Sequence, residues 1–402
     1  MNAPPLSERT AAHLSRPTGD YMSRDLVELR RMERLREEGR LSRILRFDVG
    51  GNTDGFSPLA RDLFDSGYLA RMLETYLRDY PDNQYELLRR ALGRRFGTRP
   101  EWFVLSAGLE SMIDHLCRAF LDPGDTVLIP VPNFCIYEDY SARQGARVLF
   151  LPLRSPGAFS DDDVEHVVEE LETTRPRLLW ISNPVNPPGC LLPEAGLAAI
   201  VSAAGRTGTV VVVDEAYGEY ADADDAPRSA AALVASSPHL IVLRTFSKIY
   251  GLPSLRVGYL LSSSEDVRRG VLAYRPTFPF SWFSLYTCQL ALLDDDWLAE
   301  ARANLARRKP IVEAGLDALR AYERLPSRTN TLMFRNPALP ASAVQSALAD
   351  EGVLVANLGG VTGIEGQEWL RMTVRCEEDD EVFLAACARA ARPAAPAGPA
   401  GG

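Results

Sequence analysis

Thr245-Phe246-Ser247-Lys248-Ile249-Tyr250-Gly251-Leu252-Pro253-Ser254-Leu255-Arg256-Val257-Gly258-Tyr259 decides how this 402-residue chain is read. An isolated Lys is nearly always a solvated charge. Lys248, however, follows the apolar run Leu240 to Leu243 and is flanked by hydroxyls at Thr245 and Ser247. Arg256 follows eight residues on and leads into a second apolar run. Together these offer an amine for a Schiff base beside hydroxyl and guanidinium donors for a phosphate, which suits a carbonyl-bearing cofactor with a phosphate tail.

Outward from this stretch, short β-rich runs alternate with amphipathic helical stretches. Candidate strands are Trp102 to Ser106, Thr126 to Pro130, Arg147 to Leu151, Leu178 to Ser182, Val210 to Val213, Ile241 to Leu243 and Val257 to Leu261. The alternation predicts an α/β fold with a mainly parallel sheet covered by helices. A helical region, roughly Trp282 to Arg320, leads to a smaller α+β segment with strands near Thr331 to Phe334, Val353 to Val355 and Trp369 to Val374. The expected division is an N-terminal arm with part of a small domain (1–60), a large domain (61–290), a small C-terminal domain (291–391) and a disordered Pro/Ala/Gly tail (392–402). Asp20 to Arg43, rich in Arg, Glu and Leu, reads as an exposed helix with a solvated charged face.

The composition, 46% hydrophobic over 402 residues, supports a large core. A net charge of -10 with no long basic cluster argues against a nucleic-acid surface. Six cysteines at scattered positions point to reduced thiols and a cytoplasmic protein rather than a disulfide framework. No apolar run reaches membrane length, and MNAPPLSERT lacks signal-peptide character. The four histidines fit no catalytic motif and read as structural.

In an open parallel sheet, ligands gather at the carboxyl ends of the strands, and the distinctive residues lie just past those ends. Gly108 and Leu109 open a helix whose backbone N–H groups could approach a phosphate. Phe134 supplies a flat ring, either for stacking on a ligand or for the core. In Ser182-Asn183-Pro184-Val185-Asn186-Pro187-Pro188-Gly189, two Asn-Pro pairs demand a fixed extended turn, with cis bonds allowed. Asp214 ends the run Val211-Val212-Val213, where a buried carboxylate needs a charged partner unless it caps a helix. Arg371 lies in Trp369-Leu370-Arg371-Met372-Thr373-Val374-Arg375, and its fork suits a carboxylate. Arg375 reads as an exposed edge charge in preference to a second anion contact.

This ordered set resembles the class I/II aminotransferases among the fold-type I enzymes that use pyridoxal 5'-phosphate (PLP), nearest the histidinol-phosphate aminotransferase branch, over about residues 45 to 390. The resemblance implies Lys248 as the cofactor-bearing lysine and proton carrier. It implies Asp214 facing the pyridine nitrogen, Tyr217 and Asn186 at the phenolic oxygen, and Phe134 stacked on the ring. Gly108, Leu109, Thr245, Ser247 and Arg256 would hold the phosphate, and Arg371, with Asn186, the substrate carboxylate. Tyr80, in Asp79-Tyr80-Pro81-Asp82, resembles the tyrosine lent across a two-fold interface to a neighbour's phosphate, which implies a homodimer with shared active sites. The implied activity moves an amino group between an amino acid and a 2-oxo acid, with a PLP-dependent decarboxylase, cyclase or oxidase as the alternative. A non-catalytic PLP-binding regulator is disfavoured, since Lys248 and Asp214 are both present and neither end carries a DNA-binding segment.

Two departures bear on the substrate. Ala356 stands about where that branch carries a basic residue for a substrate phosphate, and Gly50-Gly51-Asn52-Thr53 replaces its Asn-Glu-Asn-Pro run. Histidinol phosphate is therefore expected to be a poor substrate, and an amino acid with a free α-carboxylate a better one.

Overall fold

The computed structural model describes residues 21–65, 67, 71, 77–221 and 229–391; the expected tail and the first 20 residues of the expected arm lie outside these. Its strands are β1 (Leu45–Arg46), β2 (Phe103–Ser106), β3 (Thr126–Val131), β4 (Arg147–Pro152), β5 (Leu178–Ser182), β6 (Val210–Asp214), β7 (Leu240–Thr245), β8 (Gly258–Leu261), β9 (Glu323–Arg324), β10 (Thr331–Arg335), β11 (Val353–Leu354), β12 (Ala356–Asn357) and β13 (Leu370–Thr373).

A seven-stranded sheet runs in the order β2-β8-β7-β6-β5-β3-β4. All its neighbours pair in parallel except β8, which is antiparallel to both β2 and β7. The seven expected strands are all present within a residue or two. The central strands β5, β6 and β7 are buried at every position, as continuous apolar runs require when helices cover both faces. Val211, Val213, Leu240 and Val242 face one helical layer, and Val212, Ile241 and Leu243 the other. Because β8 runs against its neighbours, its beginning lies at the rim where β5, β6 and β7 end. That reversal brings Arg256 to the same rim as Lys248.

A second, antiparallel sheet has the order β12-β13-β10-β9, and β1 pairs in parallel with β11 beside it. Phe47, Phe334 and Phe383 form its aromatic centre, with ring centroids 5.2 and 5.5 Å apart around Phe383. The helical region expected from Trp282 to Arg320 is two helices, Trp282–Leu293 and Asp295–Ala318. Asp294 separates them because its carboxylate accepts from the Trp297 N–H at 3.0 Å and caps the second helix.

The N-terminal stretch is helical over Tyr21–Glu37 but is not simply solvated. Asp25, Met32 and Leu35 are buried, with Met32 packed on Ala349 and Leu354. A charge-rich sequence hides such a face when the apolar stripe is only a few residues wide. Arg375 is likewise no free edge charge. β13 ends at Thr373, and the guanidinium is clamped between Asp379 at 2.9 Å and the Arg46 carbonyl at 2.9 Å.

Residues 48–56 cross between the two sheets as a strap. The Val49 carbonyl accepts from Thr373 Oγ1 at 2.9 Å, and the Gly51 carbonyl from Asn330 Nδ2 at 3.1 Å. Asp54 is ion-paired with Arg308 at 2.6 Å. On the other side, Asn52 Nδ2 donates to the Ile249 carbonyl at 2.8 Å, and its backbone N–H to the Lys248 carbonyl at 3.2 Å. Gly251 has φ +67°, and a Cβ there would lie 1.8 Å from the Gly55 carbonyl oxygen.

Candidate active site

A cavity of 370 Å³ opens at the carboxyl ends of the parallel strands. Lys248, Asp214, Tyr217, Phe134, Asn186, Thr245, Ser247, Arg256, Leu109 and Arg371 all line it. They come from separate elements: Phe134 follows β3, Asn186 follows β5, Asp214 closes β6, and Thr245 closes β7. Tyr80 does not reach the cavity of its own chain. It is 82% exposed and stacks on Phe278 at 4.7 Å.

Asp214 is buried at the end of β6. Its Oδ2 accepts from the Tyr137 hydroxyl at 2.7 Å and its Oδ1 from the Ala216 N–H at 2.9 Å. Burial raises its carboxyl above the ordinary carboxylate range, against the pull of these donors and of Lys248. Tyr137 went unassigned in the sequence, although it stands one helical turn beyond Phe134. The two rings meet edge to face at 5.7 Å, and Tyr137 also stacks on Trp180 at 4.8 Å.

Lys248 Nζ lies 4.8 Å from the centre of the Tyr217 ring. Burial alone would raise the Tyr217 phenol, but Lys248 and then Arg371 outweigh it and bring the group below its ordinary value. A Cβ at Gly50 would fall 2.2 Å from the Tyr217 hydroxyl, so the bare glycine makes room for this phenol. The chain has only two lysines among its 44 basic residues. The other, Lys309, donates to the Ser327 and Thr329 carbonyls outside the cavity, and burial lowers it to about 8.

At the rim, Gly108 has φ +79°, and a Cβ there would sit 2.4 Å from an Arg256 guanidinium nitrogen. The helix Gly108–Phe120 thus presents its first turn directly to Arg256. Thr245 Oγ1 and Ser247 Oγ are 3.0 Å apart beside it. Helix N-terminus, hydroxyls and guanidinium together form a donor set for a phosphate. At the mouth, Arg371 is buried and donates to Asn186 Oδ1 at 3.0 Å and to the Asp48 carbonyl at 2.9 Å. The Asn183–Pro184 and Asn186–Pro187 bonds are both cis. Ala356 lies opposite Arg371 in the β12–β13 register, fully buried. Beside Arg371 the mouth also carries Arg46, with Asp25 and Asp48, none of which the sequence had marked. Their signal is tertiary, since β1 reaches the mouth only by pairing with β11.

The residues fit PLP on three counts: an anion cradle at a helix start, a buried carboxylate whose oxygens accept from the neutral donors Tyr137 and Ala216, and an amine facing the same cavity.

This fold and donor set define a PLP-dependent aminotransferase of the fold-type I architecture. Residues 71–389 match the family described as aminotransferase class I and II, and the chain belongs to it. Histidinol-phosphate aminotransferase 1 of Mesorhizobium japonicum is 32% identical, covering 87% of this chain and 90% of that protein. Among solved structures, an aspartate aminotransferase mutant of Thermus thermophilus superposes with a TM-score of 0.79 at 20% identity, covering 96% of this chain and 100% of that one. The histidinol-phosphate aminotransferase of Clostridium acetobutylicum gives 0.77 at 18% identity, over 86% and 98%.

Proposed function

We propose that this aminotransferase moves an amino group between an amino acid with a free α-carboxylate and a 2-oxo acid, with Lys248, Asp214 and Arg371 as its working groups. The carrying observation is that amine, buried carboxylate and buried guanidinium face one cavity from three separate elements. Bound PLP supplies an aldehyde and a protonated ring that draws electrons from the bond beside the substrate nitrogen. Gly108, Leu109, Thr245, Ser247 and Arg256 hold its phosphate end. Phe134 would cover the ring, and Asp214, oriented by the Tyr137 hydroxyl, would keep the ring nitrogen protonated. Tyr217 and Asn186 would donate at the phenolic oxygen. Lys248 Nζ would be the amine that bears the cofactor and the base and acid that moves a proton at the substrate α-carbon. Arg371 receives the α-carboxylate as a fork and fixes which hydrogen faces Lys248.

Residues 61–290 are read as the large PLP-binding domain, 1–60 as an N-terminal arm with part of the small domain, and 291–391 as the small C-terminal domain. Exposed Tyr80, Leu77 and Phe278 support a homodimer in which Tyr80 reaches the partner's phosphate cradle.

The relative's name makes histidinol phosphate the competing donor. Ala356 offers no charge for a phosphate, and Arg46 is already held by Asp48, so the α-carboxylate reading is favoured. Mixing PLP-loaded protein with an amino-acid panel and histidinol phosphate tests this. Loss of the cofactor band with 2-oxo acid release is expected for amino acids. Release of carbon dioxide, ammonia or peroxide instead, or a kcat/KM for histidinol phosphate at or above every amino acid, would overturn it.

A further inference from the structure

The outer half of the cavity is built by elements that play no part in holding the cofactor. The helix Tyr21–Glu37 brings Asp25, Leu26 and Leu29, and the segment leaving β1 brings Arg46, Asp48 and Val49. Arg46 meets Asp48 as a fork, Nε to Oδ1 at 2.7 Å and a terminal nitrogen to Oδ2 at 2.6 Å. Asp25 is fixed from behind: its Oδ1 accepts from Gln345 Nε2 at 2.7 Å and from the Asn357 N–H at 3.1 Å, both neutral donors.

The charges at this mouth are Asp25, Asp48, Arg46 and Arg371. A substrate α-carboxylate engages Arg371, and Arg46 and Asp48 neutralise one another. Of these four groups Asp25 is then left as the carboxylate without an ion pair; Glu110, which also lines the cavity, sits in the first turn of the helix Gly108–Phe120 and accepts from the Tyr140 hydroxyl at 3.0 Å. Burial raises Asp25 to about 6, so it is ionised at pH 8. Leu26, Leu29 and Val49 add apolar wall around it. An apolar channel ending in an uncompensated carboxylate suits a methylene stem with a cationic head. A second anion there would meet only negative excess, the repulsive half of a specificity device.

We propose that Asp25, with the Arg46–Asp48 pair beside it, forms a side-chain subsite selecting amino acids with long cationic side chains, bearing a guanidinium or an amine, over those with a second carboxylate or a phosphate. This rests on the reading that Arg371 takes the α-carboxylate. Asp25 determines specificity by direct contact with the substrate side chain, and Arg46 sets the charge against which that contact is made.

The test compares L-arginine, L-lysine, L-glutamate and histidinol phosphate with PLP-loaded enzyme at pH 8. Alongside, calorimetric Kd values are measured for 5-guanidinopentanoate and glutarate, which keep the carboxylate but carry no amine. The guanidino acid is expected to bind on the order of tenfold more tightly than glutarate, a modest return for one charge a few Å away through a partly solvated wall. Asp25→Asn should lower the arginine-to-glutamate ratio of kcat/KM, and Arg46→Gln should raise it. A merely structural role would not move the two variants in opposite directions, and Arg46→Gln still tests the idea if Asp25→Asn folds poorly. Tighter binding of glutarate, or both variants shifting the ratio the same way, would overturn the proposal. If no amino acid reacted at all, the aminotransfer reading would fall, while the two Kd values would still decide the subsite.

Discussion

Gly251→Ala probes the join between strap and lysine turn, and its cost can be worked from geometry. At φ +67° a residue with a side chain pays a left-handed backbone penalty of about 1 kcal/mol. The new Cβ would also lie 1.8 Å from the Gly55 carbonyl oxygen, against an ordinary carbon–oxygen contact of roughly 3.3 Å. The strap must retreat by about 1.5 Å, and such overpacking typically costs about 1 to 3 kcal/mol. The expected loss is therefore about 2 to 4 kcal/mol, read as a fall in denaturation midpoint at unchanged slope. Gly208→Ala is the control: its φ is +75° and nothing lies within 4 Å of the added Cβ, so only the backbone cost of about 1 kcal/mol applies. Folded Gly251→Ala should also turn over slowly, because Asn52 moves with the strap and holds the Lys248 and Ile249 carbonyls. A Gly251→Ala variant no less stable than Gly208→Ala, with normal turnover, would refute the reasoning.

Lys248→Ala should abolish turnover while retaining PLP noncovalently, and borohydride should fix the cofactor of the wild type to Lys248. With two lysines in the chain, peptide mapping is a binary readout, and a label on Lys309 would sink the assignment. Tyr137→Phe removes a charge-assisted hydrogen bond to Asp214 and should cost about 1.5 to 3 kcal/mol of stability together with a slower reaction; unchanged values in both would show the contact to be idle. Burial raises Asp380 from its ordinary 3.8 to about 7, so the folded protein keeps a proton there that the unfolded chain has lost. Stability from this group is whole at low pH and fades as pH climbs from about 4 to 7; Asp380→Asn should flatten that decline, and parallel wild-type and variant profiles would contradict it.

The seven-stranded sheet was legible because buried parallel strands are written as uninterrupted apolar runs, Val210 to Val213 most plainly. Lys248, Asp214, Asn186 and Phe134 were legible as site candidates because each immediately follows or ends such a run. Asp25, Arg46 and Tyr137 were not. Asp25 sits among charges that look alike until a partner surface selects one face of the helix, and Arg46 belongs to a two-residue strand defined only by its pairing with Val353–Leu354. Arg375 was misread for a related reason: strand periodicity was carried two residues past Thr373, where the chain already turns toward Asp379 and Asp380. Where one strand was expected over Val353 to Val355, β11 covers Val353–Leu354 and a second short strand in a different sheet, β12, follows at Ala356–Asn357, a split that an apolar run of this length cannot announce.

The strap also sets an order of events during synthesis. Its own residues leave the ribosome among the first, and the seven-stranded sheet is complete once Leu261 has emerged. The groups that anchor the strap on its far side, Arg308, Asn330, Arg371 and Thr373, are among the last. A nascent chain therefore carries a finished sheet and an exposed lysine turn well before the wall over that turn can be tied down. Closing a loop of such length is slow and leaves apolar surface open meanwhile. A chain cut short before β13 would carry the lysine turn and the strap without the Arg371 and Thr373 anchors that fix the strap's far side.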